Sequence, residues 1–390
     1  MATKYYYADA SGANDGTSES DAWTDFETAL ETIDAGDILY LKKSGSRVTG
    51  LASTITMKVA TNTAMTIVEG YGTTPGDGIS WQGDGRITME DNNVPGNIVF
   101  KNIDITADNT FVWKNTNNVF NMHFYNCKFH NTSTTVNRPA FIVQHPCTFV
   151  NCYFDADSTS TTTGTVSIMG YDHATFEGCV IRGAVGIYDA HIGASALTVQ
   201  NCIFTDGSSQ AMVTGLSTDL IVGTSEAKAF IVSQSTFYGF STDGIEIRDL
   251  PPLTDKTTIT VISNNIFYGS SATNAINISD GSHTVGPMVV GNAYGGVTNS
   301  IAGGGTNFPN FDAVTLTADP FENGAALDFR LNGATAGGAL CKGTAYPTTF
   351  QGITGAVERN IGAFQHTKES NSCVELPVYF ILMINLLILH

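Results

Sequence analysis

The middle of the chain repeats a short pattern of apolar and polar positions. Strand-forming residues precede an Asn or Gly, and a small residue, a variable residue and usually a Phe follow it. Clear copies are FKNIDI (100–105), FYNCKF (124–129), FVNCYF (149–154), FEGCVI (176–181) and VQNCIF (199–204). Because side chains alternate between the two faces of a strand, each copy predicts two short strands that meet at the Asn or Gly.

The bend between the two strands recurs at a spacing of 23 to 33 residues, which is typical of one solenoid coil per repeat. It falls at Asn102, Asn126, Asn151, Gly178, Asn201, Gln234, Asn264 and Gly291. Asn and Gly tolerate the left-handed backbone that a sharp bend needs. We predict that the Asn side chains form one inward ladder. A stack of aromatic rings should follow it, made of Phe129, Phe154, Phe204, Phe237 and Phe267.

This repeat resembles that of the pectin-lyase-like family of right-handed parallel β-helices, whose coils carry such an Asn ladder. The resemblance covers about residues 38 to 300. It implies an all-β fold, a single-stranded right-handed parallel β-helix or solenoid, in which one strand and its flanking loops line a carbohydrate groove. It does not specify an activity, because lyases, hydrolases, phage tailspikes and adhesins share the fold.

Four segments are predicted along the chain: a lead-in with an N-terminal capping helix (1–37), the β-helix coils (38–300), closing strands (301–365) and an apolar tail (366–390). Thr24-Asp25-Phe26-Glu27 is a capping box that predicts the start of the helix. The tail residues 376–389, LPVYFILMINLLIL, are too few for a membrane span of about 20 residues. They are interpreted as a plug on the last coil, an interface segment or a cloning or reading-frame scar.

Charge narrows the range of partners. The chain has 18 Lys plus Arg against 36 Asp plus Glu, so its formal net charge is −18. Nucleic acid is excluded as a partner because its phosphates need clustered cations. A polyanionic sugar would be repelled unless a divalent cation bridged the two surfaces, whereas a neutral glycan would not.

We predict no cofactor and no bound metal. Cys127, Cys152, Cys179 and Cys202 occupy one column of the repeat, without the Cys-x-x-Cys or paired-His spacing of a zinc site. We therefore expect them to be buried and reduced. Ca²⁺ is the one ion left open, at acidic residues of the lead-in, although the capping of turns explains those residues better.

Candidate chemistry follows an earlier strand of each coil. Asp172 and Asp189 could form the carboxylate pair of a glycosidase, with His173 or His191 as the proton carrier. The substrate-binding candidates at equivalent places are His145, Arg248 and Asp249. The alternative is that these Asp and His residues only begin turns and bind turn amides.

Three functions are consistent with these features. The first is a tailspike-like or fibre-like virion appendage that contacts cell-surface polysaccharide without strong catalysis. The second is a polysaccharide lyase or glycoside hydrolase, and the third is a structural protein that assembles with copies of itself. The start, MATKYYYADA, has no secretory signal. We therefore expect synthesis in the cytoplasm, location in a virion or outside the cell after lysis, and a homo-oligomer with self or virion subunits as partners.

Overall fold

The computed structural model describes thirteen stretches of the chain. They are residues 2–51, 54–57, 64–91, 96–115, 120–159, 163–169, 173–189, 196–208, 210–219, 229–248, 259–278, 288–303 and 310–342. Short strands in these stretches pair in parallel with the equivalent strands of the coils before and after them. The result is a right-handed parallel β-helix, which confirms the predicted fold class.

Each coil contributes to three columns of strands, which we call the first, second and third columns in chain order. The first column is a twelve-stranded parallel sheet that lies before the bends. Its strands are Thr3–Tyr6, Ile38–Lys42, Met65–Tyr71, Gly96–Lys101, Phe120–Tyr125, Cys147–Val150, Ala174–Glu177, Ala196–Gln200, Ala229–Ser233, Ile259–Ser263, Met288–Val290 and Asn310–Phe311.

The second and third columns lie after the bends. The second contains Val48–Leu51, Trp81–Gly85, Ile103–Ala107, Lys128–Asn131, Tyr153–Ala156, Val180–Arg182, Ile203–Thr205, Thr236–Tyr238 and Val314–Thr315. The third contains Thr54–Met57, Ile87–Asp91, Trp113–Asn115, Phe141–Val143, Val166–Ile168, Val185–Asp189, Thr214–Asp219 and Asp243–Arg248. Two long strands run through both columns, Ile266–Ile278 and Ala293–Gly303.

The bends have the predicted backbone, but their Asn side chains do not form one inward column, because Asn102 and Asn264 are buried whereas Asn126 and Asn151 are not. The bend Asn residues have φ values of 54° to 57°, and Gly178 and Gly291 have 62° and 65°. Asn126 and Asn151 are nevertheless exposed, and Asn126 Nδ2 bonds Asn102 Oδ1 at 3.4 Å near the surface. The reason is that a left-handed residue interrupts the alternation of the strand. At Asn126 and Asn151 the bend residue then lies at the surface, and the next residue faces the core.

The cysteine column occupies this inward position, as predicted. Cys127, Cys152, Cys179 and Cys202 are free and buried. Each Sγ lies 3.2 to 3.5 Å from the carbonyl oxygen two residues earlier, so the thiols have partners inside the core. Burial raises the pKa of the Cys152 and Cys202 thiols.

An inward Asn ladder does exist in later coils, one residue beyond the bends. Ser235, Asn265 and Asn292 continue the cysteine column and are buried. Asn292 Oδ1 accepts from Asn265 N at 2.9 Å, and Asn265 Oδ1 accepts from Ser235 N at 2.8 Å. The ladder thus uses the position that Cys occupies in earlier coils.

Two aromatic columns fill the core, whereas the sequence predicted one. Phe204, Phe237 and Phe267 stack at centroid distances of 4.5 and 4.9 Å, as predicted. Phe129 and Phe154 also stack, at 5.5 Å, but Ile181 separates this pair from Phe204. The unpredicted column belongs to the strands before the bends and contains Phe100, Phe124, Phe149 and Phe176.

Helices contribute little to the described residues. The predicted N-terminal helix spans Phe26–Thr32, and its N-cap is Asp25 rather than Thr24, since Asp25 Oδ1 accepts from Thr28 N at 2.7 Å. Phe26 stacks on Trp81 at 4.7 Å, which joins the helix to the core. None of the described helices is long and apolar enough to cross a membrane.

The end of the described chain folds back onto the outside of the coils. Phe321–Asn323 and Asp328–Leu331 form an antiparallel pair, which we call the hairpin, and the short 3-10 helix Gly324–Ala326 joins them. Phe321 and Phe329 pack on Tyr238, an outward residue of the second column. The helix Gly338–Cys341 follows. The predicted closing strand at 327–331 is therefore a hairpin strand, and the apolar tail lies outside the described residues.

Candidate functional site

Polar side chains form a row across the outer face of the second column. Strand pairing places Thr106 beside His130, His130 beside Asp155, Asp155 beside Arg182 and Arg182 beside Thr205. Each of these residues follows an inward apolar residue of its strand. Because side chains alternate along a strand, each side chain leaves the backbone on the outer face. Consecutive coils therefore place a histidine, a carboxylate and a guanidinium next to one another.

Asp155 and Arg182 form the centre of this row. Arg182 Nη1 lies 3.3 Å from Asp155 Oδ2 and donates to the Tyr153 hydroxyl at 2.5 Å. Ser208 donates to both carboxylate oxygens of Asp155, from its backbone N at 3.1 Å and from its hydroxyl. The Asp155 side chain is only 2% exposed, so this carboxylate is paired, bonded and shielded.

Tyr153 cannot serve as a ready base in this arrangement. Burial raises the pKa of its hydroxyl, although the hydrogen bond from Arg182 opposes that effect. The ring also lies beneath two cations, with Lys128 Nζ at 5.2 Å and the Arg182 guanidinium carbon at 5.9 Å from its centroid. The cluster thus holds Arg182 in a fixed direction.

His130 and Asp157 lie at the other side of Asp155. His130 Nε2 is 3.7 Å from Asp157 Oδ2, and one ligand atom from each of His130, Asp155 and Asp157 lies within 4.8 Å of the others. His130 is half-buried and Asp157 is buried. One imidazole and two carboxylates are a donor set suited to a cation.

A cleft of about 540 Å³ adjoins Arg182 on the same outer face. Its floor includes Tyr238 and Tyr268, whose rings stack at 6.0 Å, and the turn 324–327 of the hairpin forms one wall. Gly324 is required at that wall, because a Cβ there would lie 2.5 Å from the Tyr238 ring. Asp206 is the sole carboxylate among the described residues that line the cleft.

The polar ends of the cleft are oriented by neighbouring groups. Arg182 Nε donates to the Asp206 carbonyl at 2.8 Å, and Asp206 Oδ1 accepts from Met212 N at 2.7 Å. The Tyr238 hydroxyl bonds Asp319 Oδ2 at 3.0 Å. Burial, reinforced by that bond, raises the pKa of Tyr238 to about 12, so the phenol stays neutral at physiological pH.

The sequence-predicted residues that the structure describes are not among those that line this cleft. Asp189 is the last residue of the strand Val185–Asp189 in the third column, where its side chain is 1% exposed and accepts from Thr218 Oγ1 at 2.9 Å. Asp189 is two residues after Ile187, so both side chains lie on the strand face that points toward the core.

The other described candidates lie near the ends of third-column strands. Arg248 Nη2 pairs with Glu246 Oε2 at 2.8 Å and lies over the Tyr188 ring. His145 is half-buried, and His173 is exposed with its carbonyl bonded to Cys147 N. Asp172, His191 and Asp249 lie outside the described residues. The roles of all seven remain predictions.

Sequence reasoning missed His130, Asp155 and Asp157 as site residues. A signal was available, because the residues that directly follow the copies FYNCKF, FVNCYF, FEGCVI and VQNCIF are His130, Asp155, Arg182 and Thr205. Aligning the copies at the bend would have placed these residues in one row. Tyr238 and Tyr268 occupy the same type of position one residue after Phe237 and Phe267.

No protein-family model and no curated protein sequence matches this chain. Solved structures with a similar course of the chain include a pectate lyase, Pel9A, at 12% identity and a TM-score of 0.49, covering 94% of this chain and 97% of that one. A rhamnogalacturonan lyase matches at 12% identity and 0.39, covering 80% and 84%. The A-module of the Azotobacter vinelandii mannuronan C-5 epimerase AlgE6 matches at 12% identity and 0.33, covering 73% and 92%.

Proposed function

We propose that this protein binds a polysaccharide in the cleft between the second column and the hairpin, without strong catalysis. The observation that carries the proposal is the combination of two stacked tyrosines, Tyr238 and Tyr268, with the fixed guanidinium of Arg182 in one cleft. A sugar ring has apolar C–H faces and polar hydroxyl edges. An aromatic floor with a few oriented polar groups matches both.

The size and charge of the cleft fit a short stretch of glycan. Its volume of about 540 Å³ lies within the range of roughly 300 to 1,000 Å³ that small-ligand sites occupy. One guanidinium and one exposed carboxylate give the lining little net charge, whereas the whole chain carries −18. A neutral sugar therefore meets no strong repulsion in the cleft.

The same geometry argues against glycoside hydrolysis in the cleft. Hydrolysis requires two accessible carboxyl groups on either side of the scissile bond. Among the described lining residues Asp206 is the sole carboxylate, and the nearby Asp155 is buried and paired with Arg182. We infer binding and positioning rather than hydrolysis.

Variants on the two sides of the cleft test this function. Isothermal titration with soluble oligosaccharides of several classes should identify one that binds the native chain. Tyr268→Ala and Arg182→Gln should each weaken that binding at least tenfold, because each removes a lining contact. Tyr125→Ala is the matched control, since Tyr125 is a half-buried tyrosine of the first column. Equal affinity in all three variants, or no binding of any glycan, would overturn the proposal.

The more specific biological role predicted from the sequence is that of a tailspike-like or fibre-like appendage of a virion. It stays a prediction from the sequence. Immunogold labelling of purified particles from the producing culture checks it, with label at the particle surface as the expected result. Label confined to soluble material would contradict the appendage while leaving the glycan-binding proposal unaffected.

A further inference from the structure

We propose that His130, Asp155 and Asp157 bind one divalent transition-metal ion of the Zn²⁺ class on the outer face of the second column. One ligand atom from each residue lies within 4.8 Å of the others. That spacing lets a single ion reach all three after small side-chain rotations, because metal–nitrogen and metal–oxygen bonds are about 2.0 to 2.2 Å long. This site departs from the sequence expectation of no metal.

The state of Asp157 is an independent indication of a ligand. Its side chain is 10% exposed and the whole residue 7%. Its Oδ1 is buried and has no hydrogen-bond partner among the described residues, and the same is true of His130 Nε2. Buried polar atoms nearly always have a hydrogen-bond partner, since a buried charged group without one costs free energy. A cation bound by His130 Nε2 and by both carboxylate oxygens of Asp157 would satisfy both atoms at once.

The donor set selects the kind of ion. Ca²⁺ and Mg²⁺ prefer oxygen ligands alone, whereas an imidazole nitrogen with carboxylates suits Zn²⁺ and its neighbours in the first transition row. Three protein ligands leave a fourth position for water or for a hydroxyl group. The site is therefore distinct from a calcium bridge to an acidic sugar.

Asp155 is already oriented as a metal ligand requires. Its Oδ2 accepts from the Ser208 hydroxyl, Arg182 and the Tyr153 hydroxyl, whereas its Oδ1 accepts from Ser208 N and keeps room for a second partner. Such second-layer bonds fix the direction of a ligand and are typical of metal sites. Asp157 N donates to Asn131 O at 2.9 Å, which holds the third ligand beside the His130 strand.

The competing explanation is a plain ion pair between protonated His130 and Asp157. Both explanations account for the 3.7 Å distance between His130 Nε2 and Asp157 Oδ2. The two explanations predict different metal binding. A plain ion pair takes up no metal, whereas a three-ligand site binds one ion per chain. Metal titration of the full-length protein therefore separates them.

The test is titration of the chelator-treated native chain with Zn²⁺, followed by calorimetry. We expect one equivalent to bind, and His130→Gln and Asp157→Asn to lower the affinity at least tenfold. His123→Gln is the matched control, since His123 is a half-buried histidine of the first column, and it should bind as the native chain does. Thermal denaturation of each metal-free variant verifies that it remains folded.

X-ray absorption at the zinc edge gives a second readout. Only nitrogen and oxygen neighbours are expected, because the buried cysteine column points into the core. Sulfur neighbours would overturn the proposal. So would the absence of stoichiometric uptake, or equal affinity in folded His130→Gln, Asp157→Asn and native chains.

Discussion

At the scale of single residues, Asn151 shows how a coil turns. Its φ of 54° is left-handed, its side chain is exposed, and the next residue, Cys152, is buried. For residues with a Cβ this backbone costs roughly 1 to 2 kcal/mol, and Asn and Gly are the residues that visit it routinely. The composition of the bends follows from this backbone requirement, not from packing.

Substitution at Asn151 separates the backbone requirement from side-chain contacts. Asn151→Ala should lower the free energy of unfolding by about 1 kcal/mol, because Ala disfavours the left-handed region. Asn151→Gly should change it little, since Gly178 holds the same bend in the next coil. Urea denaturation measures both.

Asn121→Ala is the control for the Asn151 variants, because Asn121 is an exposed Asn within a regular strand. It should be nearly neutral. If Asn151→Gly destabilised the protein as much as Asn151→Ala, the side chain rather than the backbone would be responsible.

At the scale of elements, the aromatic columns join the coils. Phe237 lies between Phe204 and Phe267 at 4.5 and 4.9 Å, with rings only 6° and 11° from parallel. It is fully buried. Each ring therefore contributes packing to two neighbouring coils as well as to its own.

Phe237→Ala should lower the free energy of unfolding by about 3 to 5 kcal/mol, the usual cost of removing a buried aromatic ring. Phe237→Leu should cost clearly less, because much of the volume remains. Thermal or urea denaturation of the two variants gives the comparison. A loss below about 1 kcal/mol for the Ala variant would show that the column contributes little.

The repeat made the elements predictable because local chemistry defines them. Inward Phe and Cys residues and bends with Asn or Gly fix where strands begin and end. The direction of the bend side chains was not predictable from alternation alone, since one left-handed residue reverses it at Asn126 and Asn151. The row of His130, Asp155 and Arg182 needed the register between coils, which no single repeat copy reveals.

At the scale of the whole molecule, the hairpin is the feature that the sequence did not reveal. The strands Phe321–Asn323 and Asp328–Leu331 return to coils formed by residues near 203 to 294 and cover their outer face. The sequence repeat does not predict a contact between the hairpin and coils so far away in the sequence. The cleft exists because this late segment lies beside Arg182, Tyr238 and Tyr268.

Phe329→Ala should loosen the hairpin without unfolding the coils. Phe329 is 8% exposed and contacts Tyr238 and Phe321, so its removal leaves the hairpin with fewer anchors. We expect faster proteolysis between residues 320 and 331, weaker glycan binding and nearly unchanged circular dichroism of the coils.

Phe311→Ala serves as the control for Phe329→Ala, since Phe311 is 56% exposed. It should alter neither proteolysis nor binding. Rapid proteolysis of the Phe329 variant with full glycan affinity would show that the hairpin is not needed for the cleft, whatever ligand the cleft holds.

Because the hairpin folds back onto earlier coils, the two sides of the cleft are synthesised at different times. The ribosome delivers Arg182, Tyr238 and Tyr268 well before the turn at 324–327, and chains generally fold from their N-terminal part first during synthesis. The coils can therefore stack before the hairpin turn, which forms one wall of the cleft, has been synthesised. A nascent chain that ends before residue 321 presents its stacked tyrosines without that wall, so the cleft is completed only after the hairpin residues 321–331 have been synthesised.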